Sequence, residues 1–455
     1  MIELLLSTTV LILAGYLIAK NYDAKIILFI AGLILLFGAA LLGHPILPEK
    51  LTSGSIWIDP FTQIQQLFIS QFGRAGIIIM VLFGFSAYMS HIGANDVAVN
   101  LMSKPIARIK SKYILVPIVF WLGTLLSLVI PSAASLALIL MATLYPVLRA
   151  AGMSSLTAGG VIATTATIMP TPLGGDNVVA AKLLGFDHNV VEYVFSHHAK
   201  ISLPVIFIMG VAHFFWQQYL DKRQGEKAFT DIDESKLAVK KELPPAYYAI
   251  FPLIPLILVT VFGLFVKSLK VGLVEISIFS FTLAFIVEWL RKGSFAVISK
   301  EAGIFFQGMG TGFSQVVVLI VAAGTMVAGL QALGVIDLMS NSVKDIKNAH
   351  TALMFAFSGV TALITFISGS GNAVFYSFIE LIPPIAKNAG VDPIMIALPM
   401  QLTSNLIRAL SPVSAVVIIV ASVVKVNPLE IVKRTSVPLL VGFVATMIIS
   451  LIRYM

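Results

Sequence analysis

The chain has 455 residues, 58% of them hydrophobic and 11% charged, with a mean hydropathy of +0.97. A soluble domain carries about 25% charged residues and has no core large enough to hide this much apolar surface, so the composition excludes a soluble globule and implies a polytopic membrane protein. Cysteine is absent, which excludes disulfides, thiolate chemistry and Cys metal sites, and the formal charge of +8 reads as basic cytoplasmic loops rather than a nucleic-acid surface.

The apolar runs are long and continuous, so the class is all-α; barrel strands would alternate in segments of about ten residues. The first run, 4–19, has no basic n-region before it and no small-residue cleavage site after it, and reads as a permanent helix. A second run covers 26–42. After a polar, Pro-containing stretch comes 61–72, amphipathic, with Ile64, Leu67, Phe68 and Phe72 on one face, which fits an interfacial helix. The third run is 75–93, and a basic connector follows with Lys104, Arg108, Lys110 and Lys112.

The next run is interrupted at Pro131-Ser-Ala-Ala-Ser135, which suggests a re-entrant hairpin, with two full crossings as the alternative. The run after it breaks at Pro170-Thr-Pro-Leu-Gly-Gly-Asp-Asn177, where two prolines and two glycines cannot stay in a regular helix. A closing run ends at Leu220. Residues 221–242 mix six Lys/Arg with six Asp/Glu and read as a solvated linker.

The second half repeats the plan: two plain runs, a short amphipathic connector at 297–307, a third run at 312–333 and a polar connector at 334–348. A run broken at Ser368-Gly-Ser-Gly-Asn372, another broken around Asn405 to Pro412, and a closing run complete it. Ile130 to Ser135 aligns with Ile367 to Asn372, and Pro146 then falls on Pro383. The expected architecture is therefore an all-α polytopic membrane protein of two inverted repeats, with about ten transmembrane helices and two re-entrant hairpins. The first repeat is 1–220 (scaffold helices 4–93, hairpin 113–150, broken helix 156–182, closing helix 201–220), and the linker is 221–242. The second repeat is 243–455 (scaffold helices 247–333, hairpin 352–387, broken helix 393–424, closing helix 435–452).

Five crossings per half place the halves in opposite orientations. With the linker inside, 19 of the 30 Lys and Arg residues fall on the cytoplasmic side, which puts both termini outside, in the periplasm. The first tip then enters from the cytoplasm and the second from outside.

Hydrocarbon leaves no backbone polar group unpaired without a cost of several kcal/mol, so breaks at membrane depth survive where protein or a watery cavity satisfies them. Transporters place substrates and ions at such breaks. Arg408 lies mid-span and needs an anion; its planar fork suits a carboxylate, and a structural salt bridge to Asp176 or Glu380 is the competing explanation. The candidate substrate-binding set is Ser132, Ser135, Thr171, Asp176, Asn177, Ser368, Ser370, Asn372, Ser404, Asn405, Arg408 and Ser411. Asp176 and Glu380 are the candidates for proton or cation coupling. His91, His197, His198 and His213 show no metal-ligand spacing. There is no P-loop, no Gly-x-Ser-x-Gly and no HExxH, so the energy comes from a gradient or exchange, and an intramembrane enzyme is disfavoured.

The chain resembles the anaerobic C4-dicarboxylate carriers of the DcuC type. The resemblance runs nearly end to end and rests on His91-Ile-Gly-Ala-Asn-Asp96, Ala212-His-Phe-Phe-Trp216, Ser368-Gly-Ser-Gly-Asn-Ala373, Ser404-Asn405-Leu406 with Arg408, Ser411-Pro-Val-Ser414 and Val432-Lys-Arg-Thr-Ser-Val-Pro438. Pro131 to Ser135 and Pro170 to Asn177 match more loosely. The resemblance implies transport of succinate, fumarate or malate across a bacterial inner membrane, succinate efflux or exchange with proton coupling, and an elevator-type transporter moving against a dimeric scaffold. No cofactor is expected beyond a coupling ion, H⁺ or Na⁺. The expected partners are the dicarboxylate, the lipid bilayer and a second copy in a homodimer, with no nucleic acid. Other readings are a Na⁺-coupled carrier of another organic anion and an anion channel.

Overall fold

A computed structural model describes residues 2–109, 111–186, 189–228, 242–266, 271–338 and 348–454, and these contain helices and no strand. The first half begins with α1 (Ile2–Ala19), α2 (Ala24–Leu41) and α3 (Asp59–His91). The Asp23 carboxylate caps α2 by accepting from the backbone N–H of Lys25. A short helix, α4 (Ala94–Ser103), leads to a hairpin made of α5 (Lys112–Ser127), α6 (Ala133–Thr143) and α7 (Tyr145–Ala150). Next comes a helix in two pieces, α8 (Ser155–Thr164) and α9 (Gly175–Leu183), and then α10 (Val190–Gln224).

The second half has the same order. It contains α11 (Ala246–Leu264), α12 (Leu273–Lys292) and α13 (Phe295–Ala332). A hairpin follows, of α14 (Ala349–Ser368), α15 (Gly371–Ile379) and α16 (Ile382–Ala389). The two-piece helix is α17 (Ile394–Arg408) with α18 (Ala415–Val424), and α19 (Pro428–Tyr454) ends the chain. Among the described residues, nine helices are long and apolar enough to cross a membrane. The two broken helices are not among them, because the Pro/Gly breaks cut each into pieces of at most 15 residues.

Two expectations change here. The stretches 61–72 and 75–93 are not an interfacial helix and a separate span; they are one 33-residue helix, α3. Likewise 297–307 is not a separate connector but the start of the 38-residue α13. Each long helix passes its glycine-rich joint through a π-helical turn, Phe72–Gly76 in α3 and Phe313–Val317 in α13. The two turns pack on each other, so each glycine joint is supported by the other helix instead of ending in a loop.

The two long helices run antiparallel: Asp59–Gln71 lies against Val318–Ala332, and Ile77–His91 against Phe295–Gly312. Small residues permit the crossing. A Cβ on Gly84 would lie 2.6 Å from the Phe305 carbonyl oxygen, and one on Gly308 would lie 2.8 Å from the Gly84 Cα. Lipid tails are as apolar as leucine, so such close backbone contact is what holds membrane helices together. The helix α2 packs along the second half of α13.

The hairpins and broken helices form the other body. The return arm of each hairpin packs on the far piece of the opposite half's broken helix, α6 on α18 and α15 on α9. The helices α10 and α19 pack side by side over them. The helix α10 continues four residues past Leu220, where Asp221 is partly buried and pairs with Arg434 of α19 at 2.6 Å. Arg434 is fully buried and also donates to Thr157 at 2.8 Å and to Gln224. The start of the expected linker, 221–228, is therefore helical, with Lys222, Arg223, Gly225 and Lys227 exposed; residues 229–241 of the expected linker and 339–347 of the second connector lie outside the described residues.

Candidate functional site

A cavity of about 550 Å³ lies where the two hairpin tips meet. Pro131 to Ala134 of the first tip and Ser368 to Ala373 of the second both line it, and Arg408 lies between them. The long helices also line it, through Phe83 of α3 and Gln315, Val316 and Leu319 of α13. The cavity extends to the α1–α2 turn, Asn21 to Lys25.

Local chain chemistry explains the tips. Gly369 takes the left-handed conformation (φ +72°) that ends α14, which a residue with a Cβ adopts only under strain. Ser132 caps α6 through the backbone N–H of Ser135, and its hydroxyl also donates to Ser135 Oγ at 2.9 Å. Three helices begin at the cavity wall: α6 at Ser132 to Ala134, α15 at Ser370 to Asn372, and α18 at Ser414 to Val416. A helix start carries about half a positive charge and up to four unpaired N–H groups, so three of them converging favour an anion.

Arg408 adds a full charge. It is the last residue of α17, and one of its terminal nitrogens donates to the Ala166 carbonyl at 2.8 Å. Its Nε is buried without a partner, and no carboxylate lies within ion-pair distance among the described residues. The other two charged residues in the lining, Lys25 and Asp23, pair with each other at 3.4 Å. The cavity is therefore lined by a guanidinium with no carboxylate in ion-pair contact, together with three helix starts.

Behind Arg408 lies an amide–carboxylate network joining the two broken helices. One oxygen of Asp176 accepts from Gln401 at 3.0 Å and from Asn405 at 2.8 Å. The Gln401 amide also donates to Asn177 at 2.7 Å and accepts from the Tyr193 hydroxyl at 2.5 Å. Asn177 in turn donates to the Met169 and Thr171 carbonyls, both at 2.9 Å, holding the break in shape. His198 is buried nearby, bonded through Nδ1 to Ser202 at 3.1 Å. Among the described residues no group of three or more His, Cys, Asp or Glu gathers as a metal site.

The profile of the family described as "C4-dicarboxylate anaerobic carrier", DcuC, matches residues 2–455. This chain belongs to the DcuC family. It is 38% identical over 449 residues to the anaerobic C4-dicarboxylate transporter DcuC of Escherichia coli K12, covering 98% of this chain and 96% of that one. It is 38% identical over 455 residues to the probable anaerobic C4-dicarboxylate transporter DcuC of Vibrio cholerae, covering 98% and 97%. These relatives are transporters, not enzymes. Among solved structures, the YdaH transporter of Alcanivorax borkumensis superposes with a TM-score of 0.62 at 14% identity, over 94% of this chain and 98% of that one. MtrF of Neisseria gonorrhoeae superposes at 0.58, also with 14% identity, over 94% and 95%. At that identity the likeness is one of fold.

In this DcuC-family chain the expected site residues separate into three groups. Ser132, Ser368, Ser370, Asn372 and Arg408 line the cavity. Ser135, Thr171, Asp176, Asn177, Ser404, Asn405 and Ser411 do not. Several of these are engaged in the packing beneath it: the Thr171 hydroxyl donates to the Leu128 carbonyl at 2.7 Å, and the Ser404 hydroxyl to the Gln401 carbonyl at 2.8 Å. Glu380 lies elsewhere, in a second cavity, where it accepts from Gln71 at 2.8 Å. Neither Asp176 nor Glu380 lies within ion-pair distance of Arg408, although Asp176 is near enough to act on it electrostatically.

The cavity also contains residues outside the expected set. Tyr376, Gln315 and Ser414 line it, and Gln401 organises the network behind it. Ser414 stands in a sequence cluster beside Ser411 and was within reach of that signal. Gln401 was not, because nothing in the sequence distinguishes an amide that crosses between helices from one that bonds locally.

Proposed function

We propose that this chain is a secondary carrier of C4-dicarboxylates such as succinate, fumarate and malate, in a bacterial inner membrane. The observation that carries the reading is Arg408, an unpaired guanidinium in a cavity on which three helix starts converge. One substrate carboxylate takes the Arg408 fork, and the other takes the helix starts at Ser132, Ser370 and Ser414. That distribution suits a molecule with two carboxylates a few bonds apart.

The hairpins and broken helices are the moving body in this reading, and α1–α3 with α11–α13 are the scaffold, in an elevator cycle with two inverted repeats and both termini in the periplasm. The antiparallel crossing of α3 and α13 supports the inversion. The main cavity extends to the α1–α2 turn, which the basic-residue bias places inside, so this is the inward-facing arrangement. Asp176 is the proton-coupling group: its hydrogen-bond partners in the structure are neutral amides, and the one cation that acts on it, Arg408, is the group the substrate would engage. The scaffold face carries a second copy in a homodimer.

Reconstitution tests the reading. Purified protein in liposomes exchanges labelled succinate for internal succinate, with saturation and counterflow that a channel does not show. Arg408→Ala abolishes the exchange while the protein stays monodisperse. Wild-type exchange in that variant removes Arg408 from the site, and a requirement for Na⁺ assigns the coupling ion to sodium instead of the proton.

A further inference from the structure

Arg74 has no role in the site described above. It is the third residue of the π-helical turn Phe72–Gly76, as Gln315 is the third residue of Phe313–Val317. The two turns pack together, so Arg74 and Gln315 hold equivalent positions on the two antiparallel helices. Gln315 lines the main cavity; Arg74 lines a second cavity of about 200 Å³.

The second cavity lies at the opposite end of the scaffold crossing. Gln63 and Leu67 from the first half of α3 and Val327 and Gln331 from the last part of α13 border it. The wall on the moving body is Glu380 with Pro383 and Pro384, where hairpin 2 changes from α15 to α16. Arg74 makes no ion pair among the described residues, although Glu380 borders the same space. The Glu380 carboxylate instead accepts from the scaffold amide of Gln71 at 2.8 Å. Arg74 is exposed, and the Glu380 carboxylate acts on it electrostatically across this cavity; a guanidinium at membrane depth that loses its anion costs at least about 2.5 kcal/mol, so Arg74 calls for another anion whenever Glu380 leaves.

We propose that the Arg74 cavity is the outer half of the transport route, a second contact site at which Arg74 takes a carboxylate of the dicarboxylate. Glu380 occupies this space while the moving body is at the inner face. As the body moves outward it withdraws Glu380 and brings the Arg408 site opposite Arg74, as that site is opposite Gln315 now. The inference rests on the carrier and inverted-repeat reading given above, and it assigns the otherwise unused Arg74 to the outward-facing state.

The test is transport measured from each face. Right-side-out and inside-out membrane vesicles are prepared from the same cells, with labelled succinate supplied outside the vesicle. Arg74→Gln copies the equivalent residue, Gln315. It raises the KM for succinate at the periplasmic face about tenfold, the worth of one charge-assisted hydrogen bond, and changes the KM at the cytoplasmic face less than twofold. Arg74→Lys restores most of the periplasmic affinity. An equal rise at both faces, a rise at the cytoplasmic face alone, or no change at either overturns the proposal. Arg408→Ala in the same vesicles removes transport from both faces; if it fails to, the main site is misassigned, and the sidedness of Arg74→Gln is still read independently. Thermal unfolding of the purified variants confirms that each is folded.

Discussion

Asn405 and Gln401, one helical turn apart on α17, donate to the same oxygen of Asp176, at 2.8 and 3.0 Å. This contact ties the first half's break to the second half's broken helix. Asp176→Asn keeps an acceptor oxygen but removes the charge, and lowers stability by about 1 kcal/mol. Asp176→Ala leaves the buried Asn405 donor without its partner and strips Gln401 of one acceptor, costing about 1–3 kcal/mol. The unfolding midpoint in detergent therefore falls in the order wild type, Asp176→Asn, Asp176→Ala.

Gly371 opens α15 at the cavity. A Cβ there would meet the Ser404 carbonyl oxygen, a backbone atom, and lie 3.3 Å from the Arg408 Cβ. Neither side yields without moving the hairpin tip. Gly371→Ala is expected to reduce succinate exchange at least about tenfold, the effect of a small misplacement at a binding site. Gly359, inside α14, has open space around it and serves as the control. Gly359→Ala retains exchange and gains about 0.5–1 kcal/mol.

In the Asp221–Arg434 pair Arg434 is wholly inaccessible and Asp221 is partly buried. Removing one partner leaves the other charge buried alone, which costs about 3–5 kcal/mol. Asp221→Ala is thus expected to be strongly destabilised in thermal unfolding. The double variant Asp221→Ala/Arg434→Met loses less than the two single losses added together, because no stranded charge remains.

The α3–α13 crossing depends on Gly308, where a Cβ would lie 2.8 Å from the Cα of Gly84, from the Ala87 Cβ and from the Phe83 carbonyl oxygen. Gly308→Leu forces α3 and α13 apart. Monodisperse protein recovered by size-exclusion chromatography falls several-fold, whereas Gly310→Leu, with nothing near its Cβ, preserves it.

Much of this molecule is legible in one dimension. A chain this apolar has to be helical and membrane-embedded, because only helices or barrels satisfy the backbone in hydrocarbon. The breaks at Pro131 to Ser135, Pro170 to Asn177, Ser368 to Asn372 and Asn405 to Pro412 stand out because Pro, Gly and polar residues are costly there. Arg408 stands out for the same reason.

Other features depended on contacts that sequence distance hides. The glycine joints at 73–76 and 310–312 read as ends of helices, yet each continues because the other long helix packs on its π-helical turn. Asp176 and Glu380 both read as carboxylates near a break. Packing placed one behind the Arg408 cavity and the other beside Arg74. The sequence by itself determined which residues are too polar for lipid and must face protein or water, since that cost is local to each residue. Only the tertiary structure decided which of them share a cavity and which bond to one another, because those pairings join segments more than 200 residues apart and depend on how the helices cross.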